Sequence, residues 1–360
     1  VLRTYKYRLY PTKDQRKQIE FTLERCRLLY NRLLEERIVA YKSHGKSLSY
    51  FEQANTFNER KKHIPAMKQV HSQVLQDVAR RLEKAYQFFF RRVKQGETPG
   101  FPRFKPKQRY DSFTYPQGGY VLQGNKLKLS KIGVVKIKLH RSLEGSIKTC
   151  TIIMKNSCYY ACFSCEMELE PLLPSQELIG VDLGLKHLAI TSEGETFMAS
   201  KHYRHSERKL IQLQRSVSRK KKDSHRRKKA VQVLAKQYEK VANQRKDHAH
   251  KVSRKLVNRY GLIAIEQLNV QSMIQNRHLA KSIADTGWSQ FVQYIVYKAE
   301  SAGRVVVQVD PRGTSQQCSE CGNIVKKSLA ERIHRCPCGY TGDRDINAAR
   351  NILQRALQVS

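Results

Sequence analysis

Three acidic residues sit where an acid is unfavourable unless something compensates it. Asp182 closes an apolar run in Ile179–Gly184 (IGVDLG), Glu266 lies inside Leu262–Leu268 (LIAIEQL), and Asp345 falls in Asp343–Ala349 (DRDINAA), at the start of what reads as the last helix. A carboxylate amid apolar neighbours must be paired or metal-bound to stay ionised without a large cost. A helix N-terminus adds positive potential that favours an anion. Three such carboxylates drawn from different elements suit phosphodiester hydrolysis, which needs charge neutralised on both the attacking and the leaving oxygen. Two Mg²⁺ about 3.5–4 Å apart supply that, and hard cations take carboxylate oxygen. Singly, each acid has a plainer reading: Asp182 as a turn former, Glu266 as an ion-pair partner, Asp345 as a helix cap. Asp343 competes with Asp345 for the third place, because both lie at the same helix start.

A second constellation is made of sulfur. Cys318 and Cys321 form a C-x-x-C pair, and, after 14 intervening residues, Cys336 and Cys338 form a C-x-C pair. Two thiolate hairpins facing each other give tetrahedral zinc, and such a ribbon gains most of its folding energy from the metal. The second pair has a tighter bite than the usual ribbon, and His334 could substitute for a thiol that does not reach. One structural Zn²⁺ is expected, set between the strand ending at Asp310 and the helix carrying Asp345, where it shapes the acidic site without reacting. Cys162 and Cys165 share the C-x-x-C spacing but lie in a strand-like run, where an offset of three puts them on opposite faces. They read as core or surface thiols.

Charge is the outlier of the composition. Sixty-eight Lys and Arg against 31 Asp and Glu leave a formal +37 in 360 residues, a surplus that a polyanionic partner relieves. From Lys201 to Leu256 there are 20 Lys and Arg and four acids, among them Arg219, Lys220, Lys221, Lys222, Arg226, Arg227, Lys228 and Lys229. That density along one helical hairpin fits a phosphate track. A track meeting roughly 6–10 phosphates loses about 10³–10⁵ in affinity between 50 and 200 mM salt. No stretch of about 18 apolar residues exists and no signal peptide opens the chain, so no membrane partner is expected. Clustered thiols without a secretory signal point to a reducing cytoplasm, with association with the nucleoid.

Stepping outward to the elements, residues 1–10 alternate as a short strand ended by Pro11, and Thr12–Gln15 reads as a capping box. Ile19, Leu23, Cys26, Tyr30 and Leu33 then stripe a helix to about Gly45, and a second long helix spans roughly 66–94 with the stripe Leu75, Val78, Leu82, Ala85 and Phe89. Gly100–Lys105 (GFPRFK) breaks the helical pattern. Strand alternation over about 110–168 predicts a small antiparallel sheet or barrel. Beyond Pro171 and Pro174, strands at 179–184, 187–191, 196–199, 262–268 and 304–310 alternate with helices, including 288–302 and 347–357. That order suggests a ribonuclease H-like α/β layer.

Four segments in this order, Gly180–Ala189 (GVDLGLKHLA), Ile265–Val270 (IEQLNV), Thr314–Gly322 (TSQQCSECG) and Asp343–Ile352 (DRDINAARNI), together with Gly100–Lys105 and the opening Tyr5–Pro11, resemble the TnpB (OrfB) proteins of bacterial insertion sequences. The likeness covers nearly the whole chain. The C-x-C pair departs from the commoner C-x-x-C of that family. The resemblance implies an RNA-guided DNA endonuclease, related to type V CRISPR effectors. Such a protein binds a structured guide RNA from the transposon end, requires a short transposon-adjacent motif and cuts double-stranded DNA with one RuvC-type site. The implied architecture is mixed α/β and multidomain. A wedge strand (1–10) and a wedge β-barrel (106–174) flank a helical recognition domain (11–105). A RuvC/ribonuclease H-like nuclease domain (175–312) carries an inserted zinc ribbon (313–339) and a closing nuclease segment (340–360). The implied site is Asp182, Glu266 and Asp345 on two Mg²⁺, with Arg103 and Lys105 joining the basic nucleic-acid contacts. By analogy with guided effectors, pairing reads the target and the protein reads only the flanking motif. His71, Ser72, Gln73, Gln76, Ser112 and Thr114 are the candidates for that readout, and one protein monomer per guide RNA is expected.

Three other readings compete: an RNA-guided DNA-binding repressor without cleavage, a guide-independent RuvC-like nuclease of the junction-resolving kind, and a transposase that rejoins strands. The intact acid triad argues against the first. The basic first 174 residues, mostly outside the nuclease layer, argue for RNA-holding apparatus and against the other two.

Overall fold

Alternation at the N-terminus becomes β1 (Leu2–Tyr10), with Tyr5, Tyr7 and Leu9 turned inward. The computed structural model describes residues 1–168, 170–328 and 331–359; Leu169, Leu329, Ala330 and Ser360, which fall in the expected barrel, ribbon and closing segments, lie outside the described residues. The described chain divides into two compact units, 1–168 and 169–360, somewhat earlier than the break expected after residue 174.

In the first unit, α1 (Lys13–His44) starts on the expected capping box: Thr12 Oγ1 accepts from Gln15 N–H, and Gln15 Oε1 accepts from Thr12 N–H. It stops at Gly45, whose φ of 62° is the left-handed conformation glycine adopts without a Cβ penalty. Two short helices, α2 (Tyr50–Asn55) and α3 (Phe57–His63), follow, then a 3₁₀ turn at Pro65–Gln69. The next long helix, α4, runs Ser72–Lys94 and not from residue 66, because Pro65 opens a separate tight turn that ends in the extended Val70. Leu75, Val78 and Leu82 of α4 meet Ile19, Leu23, Cys26 and Leu33 of α1 in the core.

Six strands succeed the helices: β2 (Ser112–Tyr115), β3 (Tyr120–Gln123), β4 (Lys126–Leu129), β5 (Gly133–Lys138), β6 (Ser146–Lys155) and β7 (Cys158–Glu166). With β1 they form one antiparallel sheet in the order β2-β6-β7-β1-β5-β4-β3. A small antiparallel sheet or barrel was expected, and no ladder joins β2 to β3 among the described residues. The two ends approach through side chains instead, with Tyr115 Oη donating to Ser130 O at 2.8 Å and packing edge-on to Tyr120. On β7, Cys165 is buried and Cys162 is on the other, half-exposed face, as the strand period requires.

The second unit is built on β8 (Leu178–Asp182), β9 (His187–Thr191), β10 (Thr196–Met198), β11 (Leu262–Glu266) and β12 (Val305–Val309), ordered β10-β9-β8-β11-β12. β8, β11 and β12 are parallel, while β9 and β10 run antiparallel. The basic hairpin α5 (His202–Ser218) and α6 (His225–Arg259) separates β10 from β11. Two helices that the sequence pattern did not reveal, α7 (Val270–Met273) and α8 (Arg277–Thr286), precede α9 (Trp288–Ala302). A small hairpin, β13 (Ile333–Arg335) with β14 (Thr341–Asp343), leads into α10 (Arg344–Val359).

The period of two sorts the sheet's faces. Ile179, Val181, Ile263 and Ile265 pack with Leu256 of α6 and Phe291 and Ile295 of α9. Ala264 faces the other way, against Ile352 and Ala356 of α10. Gly180, Asp182 and Glu266 therefore also belong to the α10 face. The approach of α10 to β8 is close enough that a Cβ on Gly180 would lie 1.9 Å from Ala349 O. Glycine is what lets the helix lie that near.

Candidate active site and metal centre

Asp182 and Glu266 end two parallel neighbours whose register pairs Val181 with Ile265, so the two acids stand side by side at the strand ends. Asp345 comes from the first turn of α10, which lies over the same face. The three are near enough to act on each other electrically. Asp182 is pushed well above the usual carboxylate range, first by burial and then by the negative charges of Glu266 and Asp345, against Arg344 and the Leu183 N–H pulling the other way. Glu266 is also raised by burial, while the Thr314 hydroxyl and the charge of Arg355 oppose that. Burial disfavours the ionised form of both acids, and at Asp182 the neighbouring negative charges add to it, so a cation bound there would be favoured.

Asp345 is paired with arginine. Its Oδ1 accepts from Arg344 Nε and Nη2 at 3.0 and 2.9 Å, and Arg332 Nη1 lies 3.5 Å from Oδ2. Asp343 behaves differently: its Oδ1 accepts from the backbone N–H groups of Asp345 and Ile346 at 2.8 and 3.1 Å. That is the geometry of an N-cap, which uses up a carboxylate oxygen on the helix end. The two acids thus differ in role here, Asp343 capping the helix and Asp345 pairing with arginine.

Residues 310–319 tie these parts together, a role that sequence reasoning missed. Thr314 Oγ1 lies 2.5 Å from Glu266 Oε1. Asn351 Nδ2, buried on α10, donates to the carbonyls of Thr314 and Gln317. Asn347, one turn nearer Asp345, accepts from Ser319 N–H and donates to Gln317 O. Arg355 reaches Asp310 O, Arg312 O and Gln317 Oε1. Two fully buried asparagines one turn apart were the available signal, since a buried amide needs partners.

Cys318, Cys321, Cys336 and Cys338 bring all four sulfurs within 4.8 Å of one another, the one such cluster of potential metal ligands among the described residues. Two of the separations are 3.5 and 3.8 Å. Tetrahedral zinc at about 2.3 Å from each thiolate puts the sulfurs roughly 3.8 Å apart, so the donor set fits that ion. Burial pushes the Cys318 thiol up, but the N–H groups of Cys321 and Glu320 prevail and bring it to about 7. Both members of the C-x-C pair reach. His334 is not among the four; its Nδ1 is bonded to Lys327 Nζ.

Among the other candidates, Arg219, Lys221, Lys222, Arg226, Lys228 and Lys229 are exposed at the tip of the α5–α6 hairpin, while Lys220 donates to Ser216 and Arg227 is half-buried. Arg103 is exposed, and Lys105 lies over the Tyr30 ring with its backbone held by Arg27 and Asn31. Of the readout candidates, Gln73 is bonded to Gly118 N–H and Gln117, Ser112 and Thr114 accept from Arg81, and His71 is half-buried against Tyr115. Ser72 and Gln76 are exposed and line a groove of about 480 Å³ with Asn55, Asn58, Lys61 and Arg80.

Comparison with known proteins bears on the chain's family and fold. Residues 162–277 match the OrfB family of IS605-type elements, described as "Probable transposase", and 288–352 match a "Cas12f1-like, TNB domain". Residues 1–46 match a family described as a helix-turn-helix domain, although they fold here as one strand and the single long helix α1. Two relatives, from Streptomyces pristinaespiralis and Escherichia coli (strain K12), carry the name "Putative RNA-guided DNA endonuclease", the second with the suffix InsQ. Each is 32% identical, over 100% of this chain and 90% of the first, and over 98% and 92% for the second. A CRISPR-associated endodeoxyribonuclease Cas12f1 of Sulfoacidibacillus thermotolerans is 38% identical over 36% of this chain and 31% of its own. The fold is similar to two solved structures at 10% identity: the mini-RNA-guided endonuclease CRISPR-Cas_phi3 (TM-score 0.53, covering 99% and 92% of the two chains) and CasPhi-2 (0.51, 99% and 98%).

Proposed function

The chain belongs to the TnpB (OrfB) family of insertion-sequence proteins, and from that membership we propose that it is an RNA-guided endonuclease hydrolysing double-stranded DNA at a single site made of Asp182, Glu266 and Asp345. The observation that carries this reading is the convergence of the three acids, felt in the raised carboxyl of Asp182. The five-strand order with α10 across one face supports reading this unit as a ribonuclease H-like, RuvC-type domain.

Bound between these carboxylates, two Mg²⁺ would neutralise the attacking and leaving oxygens and generate the nucleophile from water. The chain's own part is positional. Asp182 and Glu266 present oxygens from rigid strand ends, Thr314 orients Glu266, and the N-cap by Asp343 fixes the turn from which Asp345 projects. One Zn²⁺ on the four cysteines would hold the 310–319 segment, and through it both Glu266 and α10.

The guide RNA supplies target recognition by pairing, and the basic tip of the α5–α6 hairpin follows phosphates. Residues 1–10 and 106–174 act as the wedge and 11–105 as the recognition domain, with Gln76 an exposed member of the readout set and Ser72, also exposed, accepting from Lys61 Nζ at 2.8 Å. The test is to purify the protein, sequence the RNA that accompanies it, and supply DNA matching that RNA. Cleavage of matched DNA alone supports the reading. Cleavage without RNA, or none with matched DNA and Mg²⁺, overturns it.

A further inference from the structure

Helix α4 outruns its packing. Leu75, Val78 and Leu82 are buried, but the same stripe continues into Ala85 and Phe89, which are only half-covered, and Phe88, Phe90 and Val93 are 50–56% exposed. Opposite, the end of α1 leaves Tyr41 exposed. Between them lies a groove of about 580 Å³, walled by Ile38, Tyr41, Tyr86, Phe89, Phe90 and Phe101. Its rings already contact one another: Phe101 meets Phe89 and Tyr86 edge-on at 5.3 and 5.7 Å, and Phe90 lies 6.2 Å from Tyr86. Solvent-exposed aromatic clusters of this kind mark a binding surface.

We propose that this groove stacks unpaired bases of the guide RNA, an assignment that rests on the function proposed above. The rings offer π faces that accept any base, and the cations around them suit the backbone. Exposed Lys42 lines the groove and exposed Arg91 lies over Phe88 at 5.2 Å, while buried Arg37, bonded to Gln53 and Glu83, sits over Tyr86 at 5.1 Å and supports that ring. Of the acids nearby, Glu83 is paired with Arg37, and Glu97 lies 3.9 Å from Arg92. A second copy of a chain with net charge +37 would bring like charge to the same face. Under the function proposed above, the guide RNA is the nucleic acid that stays bound. Target DNA comes and goes.

The test uses the full chain, freed of nucleic acid at high salt, and a fluorescein-labelled 12-nucleotide single-stranded RNA. It is compared with the same strand carrying abasic sites, with its duplex and with DNA of the same sequence, by anisotropy at several salt concentrations. Phe90→Ala and Phe101→Ala are each expected to weaken the single-stranded RNA by roughly five- to a hundredfold without changing the salt slope. They should leave the abasic strand and the duplex bound as before. Leu357→Ala, an exposed apolar side chain outside both grooves, is the control and should bind as wild type. Wild-type binding by both groove variants, an equal loss on the abasic strand, or a loss confined to DNA overturns the assignment. So does a dimer that these variants dissolve in sedimentation. Failure of the underlying reading is separate, because then no RNA accompanies the wild-type protein.

Discussion

Thr314 places its hydroxyl 2.5 Å from a carboxylate oxygen of Glu266 and 3.1 Å from Pro311 O. With one proton and two acceptors in reach, the hydroxyl can donate to an ionised Glu266. It can equally accept from a protonated Glu266 while donating to Pro311. Either way it fixes where the carboxylate points. Thr314→Val keeps the shape and removes the bond. A hydrogen bond to a charged group contributes about 1.5–3 kcal/mol, so cleavage at limiting Mg²⁺ should fall about ten- to a hundredfold. Thr314→Ser should restore it. A Mg²⁺ titration of the cleavage rate checks this; an unchanged Mg²⁺ dependence in the valine variant would leave Thr314 without a positioning role.

Gly180 sets the distance between the strand of Asp182 and the helix of Asp345. Adding a methyl there drives it against a backbone oxygen that cannot swing away. Gly180→Ala is expected to destabilise the protein by about 1–3 kcal/mol, as overpacking does. The check is a denaturation midpoint beside that of Gly100→Ala, where a Cβ would meet nothing nearer than 3.7 Å. Equal stability of Gly180→Ala and wild type would contradict the close packing described.

Asp182 and Glu266 both have raised carboxyl pKa values in the fold. Such groups stabilise the protein fully below their unfolded pKa, about 4, and that contribution is lost as pH rises through the folded value. The metal-free protein should therefore lose stability between about pH 4 and neutrality on account of these two groups, and Asp182→Asn should flatten that slope. Mg²⁺ binds the ionised form, so its stabilising effect should grow with pH. Thermal melts at pH 5 and pH 8, with and without Mg²⁺, read both effects. A Mg²⁺ shift larger at pH 5 than at pH 8 would count against a carboxylate metal site.

Zinc removal should reach the acids indirectly. Elemental analysis is expected to find one zinc per chain, and Cys318→Ser to lose it. Because Cys318 shares a segment with Thr314 and Gln317, its loss should also lower cleavage, while an untouched cleavage rate in a zinc-free variant would uncouple the ribbon from the site.

What could be read from residue order was what depends on near neighbours. Asp182 and Glu266 stood out because apolar strands surround them. The Thr12–Gln15 box is visible as a four-residue pattern, and the four cysteines announce a cluster by spacing alone. What escaped depends on partners far along the chain. Gln73, Ser112 and Thr114 look like free polar groups until Gly118 and Arg81 are seen to hold them. Helices α2, α3, α7 and α8 are ten residues or fewer, too short to show a stripe. Thr314 is unremarkable in sequence, since Glu266 is 48 residues away.

The account turns on a shared charge site that can be emptied without disturbing the fold. Asp182→Ala, made in the full chain and purified with its RNA, should bind matched target DNA as wild type does and leave it uncut at any Mg²⁺ concentration. Cutting by that variant at the wild-type rate would contradict the assignment of Asp182, and with it the three-acid site.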